Sequence, residues 1–86
     1  MRLIFSPAAW EDYLFWQEQD RKTIRKINSL IQATARDPFS GPGKPEALRR
    51  QLQGWWSRRI TLEHRLVYRV SGENLLIASL RFCHEG

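Results

Sequence analysis

Between Lys44 and Arg69 the chain carries a carboxylate, an imidazole and a crowd of guanidinium groups. Lys44, Arg49, Arg50, Arg58, Arg59, Arg65 and Arg69 stand against only Glu46 and Glu63. The excess of five equals the formal net charge of the whole chain, +5, so the rest of the sequence is balanced. A local excess of arginine sets up a field for phosphate, and guanidinium meets phosphate with two parallel hydrogen bonds. Cleaving RNA by internal transfer needs a base for the 2′-hydroxyl, cations for the phosphorane and an acid for the leaving 5′-oxygen. Glu46 is the candidate base, kept ionised by nearby arginines, although spacing alone favours a loop carboxylate paired with Lys44 or Arg49. Arg59 and Arg65 are the candidate phosphate clamp. His64 is read as structural, because strand alternation sets it opposite Arg65. Cys83 and His84 lie at the chain end. The histidines and the cysteine are too few and too scattered for a metal site, so neither metal nor cofactor is expected. Trp55, Trp56 and Phe39 can stack on bases or pack in the fold. These residues point to a phosphate-binding groove with a carboxylate in it, and leave open whether it cuts or only binds.

The elements that must position this block follow from periodicity and punctuation. Leu3-Ile4-Phe5 reads as a strand. Ser6 is an N-cap and Pro7 suits the first helical position, opening a helix from Ala8 to Gln19. Asp20 caps a second helix from Arg21 to about Arg36, with Ile24, Ile27, Leu30, Ile31 and Ala35 as its apolar stripe. Asp37-Pro38 ends it. Residues 39–45, rich in glycine and proline, form a loop. Three strand-like regions follow: Leu48–Leu52 with Trp55–Thr61, then His64–Val70, then Leu75–Cys83, with Ser71–Asn74 as a turn. The expected fold is α+β, in the order β-α-α-β-β-β, with two N-terminal helices packed on one face of a mostly antiparallel sheet. Alternation along the strands sets Leu66, Tyr68 and Val70 on one face and Arg65, Val67 and Arg69 on the other. In the last strand Leu76, Ala78, Leu80 and Phe82 oppose Leu75, Ile77, Ser79, Arg81 and Cys83. The open face is expected to present Arg65, Arg69, Arg81 and Cys83, with Arg59 or Arg58 beside them.

Composition narrows the setting. A chain of 86 residues with 42% hydrophobic content and four tryptophans is expected to fold as one domain, residues 1–86. A single cysteine allows no internal disulfide, which favours the cytoplasm. The apolar start is too short for a signal peptide, and no run approaches the ~20 residues needed to span a bilayer.

Several linked motifs then carry a resemblance over residues 3–82: Trp10-x-Asp12-Tyr13-x-x-Trp16-Gln17, Lys26-Ile27-Asn28-x-Leu30-Ile31, Pro38-Phe39-x-Gly41-x-Gly43-Lys44-Pro45-Glu46-x-Leu48, Trp56-Ser57-Arg58-Arg59-Ile60 and Glu63-His64-Arg65-Leu66-Val67-Tyr68. The sequence resembles the YoeB (Txe) toxins of the RelE/ParE superfamily of type II toxin–antitoxin systems. The resemblance implies the RelE-like microbial RNase fold. It implies ribosome-dependent, metal-independent cleavage of A-site mRNA, leaving a 5′-hydroxyl and a 2′,3′-cyclic or 3′-phosphate. The implied partners are the ribosome and mRNA, a YefM-type antitoxin, operator DNA through the antitoxin complex only, and a second copy in a homodimer; no membrane is involved. By the same resemblance Glu46 is the general base, Arg65 the transition-state arginine and Arg59 a phosphate contact. Arg49 and Lys44 add to phosphate binding, Arg49 standing where the family usually has lysine, with different geometry.

The tail departs from the pattern. The family typically ends Arg-Tyr-His-Tyr with the histidine as acid, whereas this chain ends Arg81-Phe82-Cys83-His84-Glu85-Gly86. An ungapped match gives the acid's place to Cys83, and a one-residue shift gives it to His84. A thiol of pKa ~8.5 suits neutral pH less well than an imidazole near ~6.5, so His84 is taken as the acid and Cys83 as the alternative. Two other readings stay open: a weak or inactive homologue serving mainly as antitoxin-binding co-repressor, and a ParE-like gyrase inhibitor, which would not need the Glu46/Arg65 pair.

Overall fold

The fold was obtained as a computed structural model that describes residues 1–82. Strand β1 (Arg2–Phe5) leads into helix α1 (Pro7–Gln19) and helix α2 (Arg21–Arg36). Strands β2 (Glu46–Ala47), β3 (Trp56–Arg59), β4 (Arg65–Ser71) and β5 (Asn74–Ser79) follow. The five strands form one sheet in the order β1-β5-β4-β3-β2, with β1 parallel to β5 and every other pair antiparallel.

Local chemistry sets the helix limits. The Ser6 hydroxyl accepts from the Ala9 amide at 3.0 Å and donates to the Ala78 carbonyl at 2.8 Å, so one residue both caps α1 and pins it to β5. Asp20 ends α1 and caps α2, accepting from the Lys22 and Thr23 amides at 3.1 Å each and from the Thr23 hydroxyl at 2.8 Å. Hydrogen bonds from Thr23, foremost its hydroxyl, hold the Asp20 carboxyl below its ordinary value. A single extended residue thus joins the helices into an antiparallel pair. Their apolar faces (Ala9, Trp16, Ile27, Leu30, Ile31) close on Ile60, Leu66, Tyr68, Leu75, Ile77 and Leu80 of the sheet side. The opposite face of the sheet is left without helices.

The expected two helices on one face of a mostly antiparallel sheet are present, with three corrections. The region around Leu48–Leu52 is not a continuous strand. It is the two-residue β2 followed by a single 3-10 turn, Arg50–Leu52, which Arg50 enters with φ +56°. The second correction concerns β5. Leu75 and Ile77 face the helices, opposite Val70 and Tyr68, and Leu76 lies opposite Arg69 on the open face. A register shift then pairs Val67 with Ser79, passing over Ala78. The extra residue restores the alternation expected from the sequence at Ser79 and Leu80, so the parity error is confined to the first half of the strand. Arg81 does not join the open face. Its guanidinium carbon lies 3.8 Å from the Phe15 ring centroid on α1.

Candidate active site on the open sheet face

Glu46 sits in β2 directly opposite Ser57 of β3, and Ser57 in turn lies opposite Val67 of β4. One step along the same face, Arg59 lies opposite Arg65. This register brings a carboxylate from the short edge strand against Arg65, with Arg59 across from Arg65 on the same face. Arg65 Nη1 is 3.6 Å from Glu46 Oε2 and donates to the Ser57 hydroxyl at 3.3 Å. Ser57 is fully buried, so its hydroxyl is a fixed acceptor that aims the Arg65 side chain. Glu46 is 65% exposed and Arg65 27%, so the pair is accessible from solvent. Arg59 is exposed beside it.

The choice left open between Arg58 and Arg59 is settled by burial. Arg58 points away from the open face and is fully buried. It donates to the carbonyls of Asp37 (2.5 Å), Ser40 (3.0 Å) and Pro42 (3.0 Å) and, through Nε, to the Tyr68 hydroxyl (3.2 Å). Tyr68 donates onward to the Pro38 carbonyl at 2.6 Å, and burial pushes its hydroxyl above the ordinary tyrosine value. The Arg59 amide takes the Gly43 carbonyl at 2.7 Å. Almost every turn of the segment leading from α2 to Glu46 is therefore held by β3 and β4. Asp37 closes its start, accepting from the Ser40 hydroxyl at 2.5 Å and the Phe39 amide at 3.2 Å, and these bonds, the Ser40 hydroxyl first, lower its pKa. Gly43 has φ +85°, and a Cβ there would meet Leu30 Cδ2 at 2.9 Å. Only glycine lets the segment pass this close to α2.

A second set of contacts holds the chain where it leaves the sheet after β5. Asp12 and Trp16, one helical turn apart on α1, bracket a single residue of the chain's exit from the sheet. The Leu80 amide donates to Asp12 Oδ2, and Trp16 Nε1 donates to the Leu80 carbonyl, each at 2.9 Å. His64 continues the clamp: its Nδ1 accepts from the Phe82 amide at 3.0 Å, and its ring packs edge-on against Trp16 at 4.9 Å. His64 is thus placed as a structural residue, in line with its strand parity. The candidate acids His84 and Cys83 lie outside the described residues.

Of the remaining sequence candidates, Lys44 is exposed at φ +52°, next to Gly43, and Arg49 is exposed just before the 3-10 turn. Trp56 packs into the core, with Phe39 tilted against it at 4.9 Å. Trp55 meets Arg69, whose guanidinium carbon lies 5.9 Å from the ring centroid. Sequence reasoning missed the parts played by Ser57, Arg58, Asp12 and Trp16. Only the Asp12/Trp16 pair left a signal, an acceptor and a donor spaced to share one helix face. Among the described residues there is no cluster of histidine, cysteine and acidic side chains suited to a metal ion, and no helix long and apolar enough to cross a membrane.

A protein-family model described as the YoeB-like toxin of bacterial type II toxin–antitoxin systems matches residues 5–84. Toxin YoeB of Escherichia coli (strain K12) is 57% identical over 82 residues, covering 95% of this chain and 98% of that protein. The YoeB/ParE toxin structure from Agrobacterium tumefaciens superposes with a TM-score of 0.95 at 49% identity, covering 98% of this chain and all of the other. A Staphylococcus aureus YoeB–YefM complex gives a TM-score of 0.89 at 42% identity, and the YoeB dimer of that organism 0.91 at 44%, each covering 98% of both chains.

Proposed function

The chain belongs to the YoeB-like toxins of bacterial type II toxin–antitoxin systems, and from that premise we propose that it is a ribosome-dependent mRNA endoribonuclease acting in the A site. The observation that carries the reading is the Glu46–Arg65 pair at 3.6 Å, on an open sheet face with Arg59 across from Arg65. Glu46 takes the proton of a 2′-hydroxyl. The freed oxygen attacks the adjacent phosphorus, and Arg65 and Arg59 stabilise the charge that builds on the phosphorane oxygens. The bond to the 5′-oxygen breaks as the tail acid, His84 in our assignment and Cys83 in the alternative, protonates it. The products are a 2′,3′-cyclic phosphate, open to hydrolysis to a 3′-phosphate, and a 5′-hydroxyl. Side chains supply every step. Lys44 and Arg49 extend the field along the RNA backbone. With one exposed carboxylate and no paired imidazoles at the described site, much of the rate must come from alignment of the substrate by the ribosome.

The antitoxin is of the YefM type, as in the Staphylococcus aureus complex. Operator DNA is reached only through that complex, and the toxin alone forms a homodimer, as its Staphylococcus relative does. A protein that acts on translating ribosomes does so in the cytoplasm, which is the compartment this reading requires. The altered tail favours a second reading, a weak homologue that serves mainly as antitoxin-binding co-repressor. Induction of the chain alone separates the two. Growth arrest with cut mRNA, relieved by a YefM-type antitoxin, supports the toxin; unarrested growth with intact mRNA supports the co-repressor.

A further inference from the structure

The open face continues past the Glu46–Arg65 pair. The Leu48 amide donates to the Trp55 carbonyl at 2.9 Å, extending the β2–β3 ladder by one rung. Side-chain alternation then sets Leu48 and Trp55 on the same face as Glu46 and Ser57. Across the next strand, Val67 and Arg69 share that face. Leu48 and Val67 are each only 6% exposed, yet neither belongs to the core between helices and sheet. They make a small apolar floor on the side that carries the arginines. Trp55 stands half-buried beside it, and exposed Arg69 lies over the indole at 5.9 Å. Gly54, at φ +94°, turns the chain into Trp55 beside the Arg69 guanidinium, whose Cζ lies 3.5 Å from the Cβ position, an ordinary van der Waals distance. Apolar floor, indole and guanidinium plane are the groups that hold an unpaired base.

We propose that Leu48, Val67, Trp55 and Arg69 form a base-binding subsite for an RNA nucleotide flanking the scissile phosphate, with Trp55 and Arg69 stacking on the base and Arg69 also drawing in its phosphate. The proposal deepens the ribonuclease reading and rests on it for the position of the cut. Trp55, the residue before β3, is two residues from Ser57, about 7 Å of extended chain, so the subsite adjoins the Glu46–Arg65 pair. Charge fits the occupant: Arg59, Arg65 and Arg69 line the same face, and a polyanion is the ligand that such a row attracts.

Equilibrium binding of a short single-stranded RNA tests this. The RNA carries a 2′-deoxy sugar at the intended cut, so that it stays whole, and either a base or an abasic residue at the flanking positions. The wild-type protein is expected to prefer the base-bearing RNA by about tenfold. Trp55→Ala should bind both RNAs at the abasic level, and Trp55→Phe should keep most of the preference. Arg69→Ala should weaken both and lower the slope of log affinity against log salt by about 0.7, the value for one phosphate contact on a single strand. Equal binding of the two RNAs by the wild-type protein overturns the subsite, as does a preference that survives in folded Trp55→Ala. If Trp55→Ala does not fold, the wild-type comparison and Trp55→Phe decide. Cleavage on ribosomes, measured in parallel, reports on the ribonuclease reading separately. Preference without cleavage keeps the subsite and removes that reading, and cleavage without preference does the reverse.

Discussion

At the scale of single residues, neighbouring arginines have partners that differ in kind. Arg65 touches Glu46 and the buried Ser57 hydroxyl and contributes little to the core. Arg65→Ala should therefore fold normally and lose roughly 10²–10³ in cleavage rate, the cost of one transition-state charge contact. Circular dichroism alongside a cleavage assay checks both halves, and a folded Arg65→Ala protein of near wild-type activity would remove Arg65 from the mechanism. Glu46→Gln keeps the shape, removes the base and should fall in the same range. The acid is decided by two further changes. His84→Ala should slow cleavage by about 10²-fold or more while Cys83→Ser stays nearly silent, and the reversed pattern would give the role to Cys83. Arg58, the neighbour of Arg59, belongs to stability instead. It is buried against backbone carbonyls, so Arg58→Met should cost about 3 kcal/mol in chemical denaturation by leaving several acceptors unmet. Nothing in the sequence separates these adjacent arginines except strand parity, which makes them opposite without saying which faces the core.

At the scale of elements, the segment from Asp37 to Glu46 leads from a helix end to the strand that carries Glu46. Gly43→Ala asks a left-handed position to carry a Cβ against Leu30 and should destabilise the protein by about 2 kcal/mol; a thermal midpoint no lower than wild type would show that the segment can relax. Both helix-boundary carboxyls, Asp20 and Asp37, are lowered in the folded state. Their contribution is present above the unfolded carboxylate value and is lost as pH falls through the folded values. Acid unfolding should accordingly be less steep in Asp20→Asn and Asp37→Asn. Tyr68 is raised, so its contribution is full below about pH 10 and fades as pH climbs beyond; an alkaline denaturation series of Tyr68→Phe against wild type measures it. The helices were legible in the sequence because Ser6, Pro7, Asp20 and Asp37-Pro38 are local signals, and the α2 limits matched them. The first half of β5 was misread because Leu75, Leu76 and Ile77 are apolar on both faces, so alternation has no contrast to work with. The register shift that brings Ser79 and Leu80 back into phase is a tertiary event, fixed by pairing with β4 and β1 and by Ser6, Asp12 and Trp16 reaching across from α1. The open-face pair was legible only in part. Basic charge around Glu46 marked the block, but the two-residue strand that places its carboxylate opposite Ser57 has too few residues to show a period.

At the scale of the molecule, a balanced remainder of the chain stands apart from one positive block, and folding gathers Arg59, Arg65 and Arg69 of that block on the sheet face that no helix covers. That asymmetry suits a polyanion, and the proposed function takes RNA as that ligand, pre-aligned by the ribosome. Binding to single-stranded RNA should weaken steeply with salt, as counterion release requires, and a flat salt response would point to contacts other than phosphate. The central claim is that this surface cuts mRNA held by the ribosome. The most direct test is to add the purified protein to translating ribosomes and, separately, to the same mRNA free in solution, mapping the ends formed by wild type, Arg65→Ala and Glu46→Gln. Cuts with 5′-hydroxyl ends within the A-site codon are expected for wild type, few for either variant and few on free RNA. Equal cutting of free and ribosome-bound mRNA, or unchanged cutting by the folded variants, would contradict the claim.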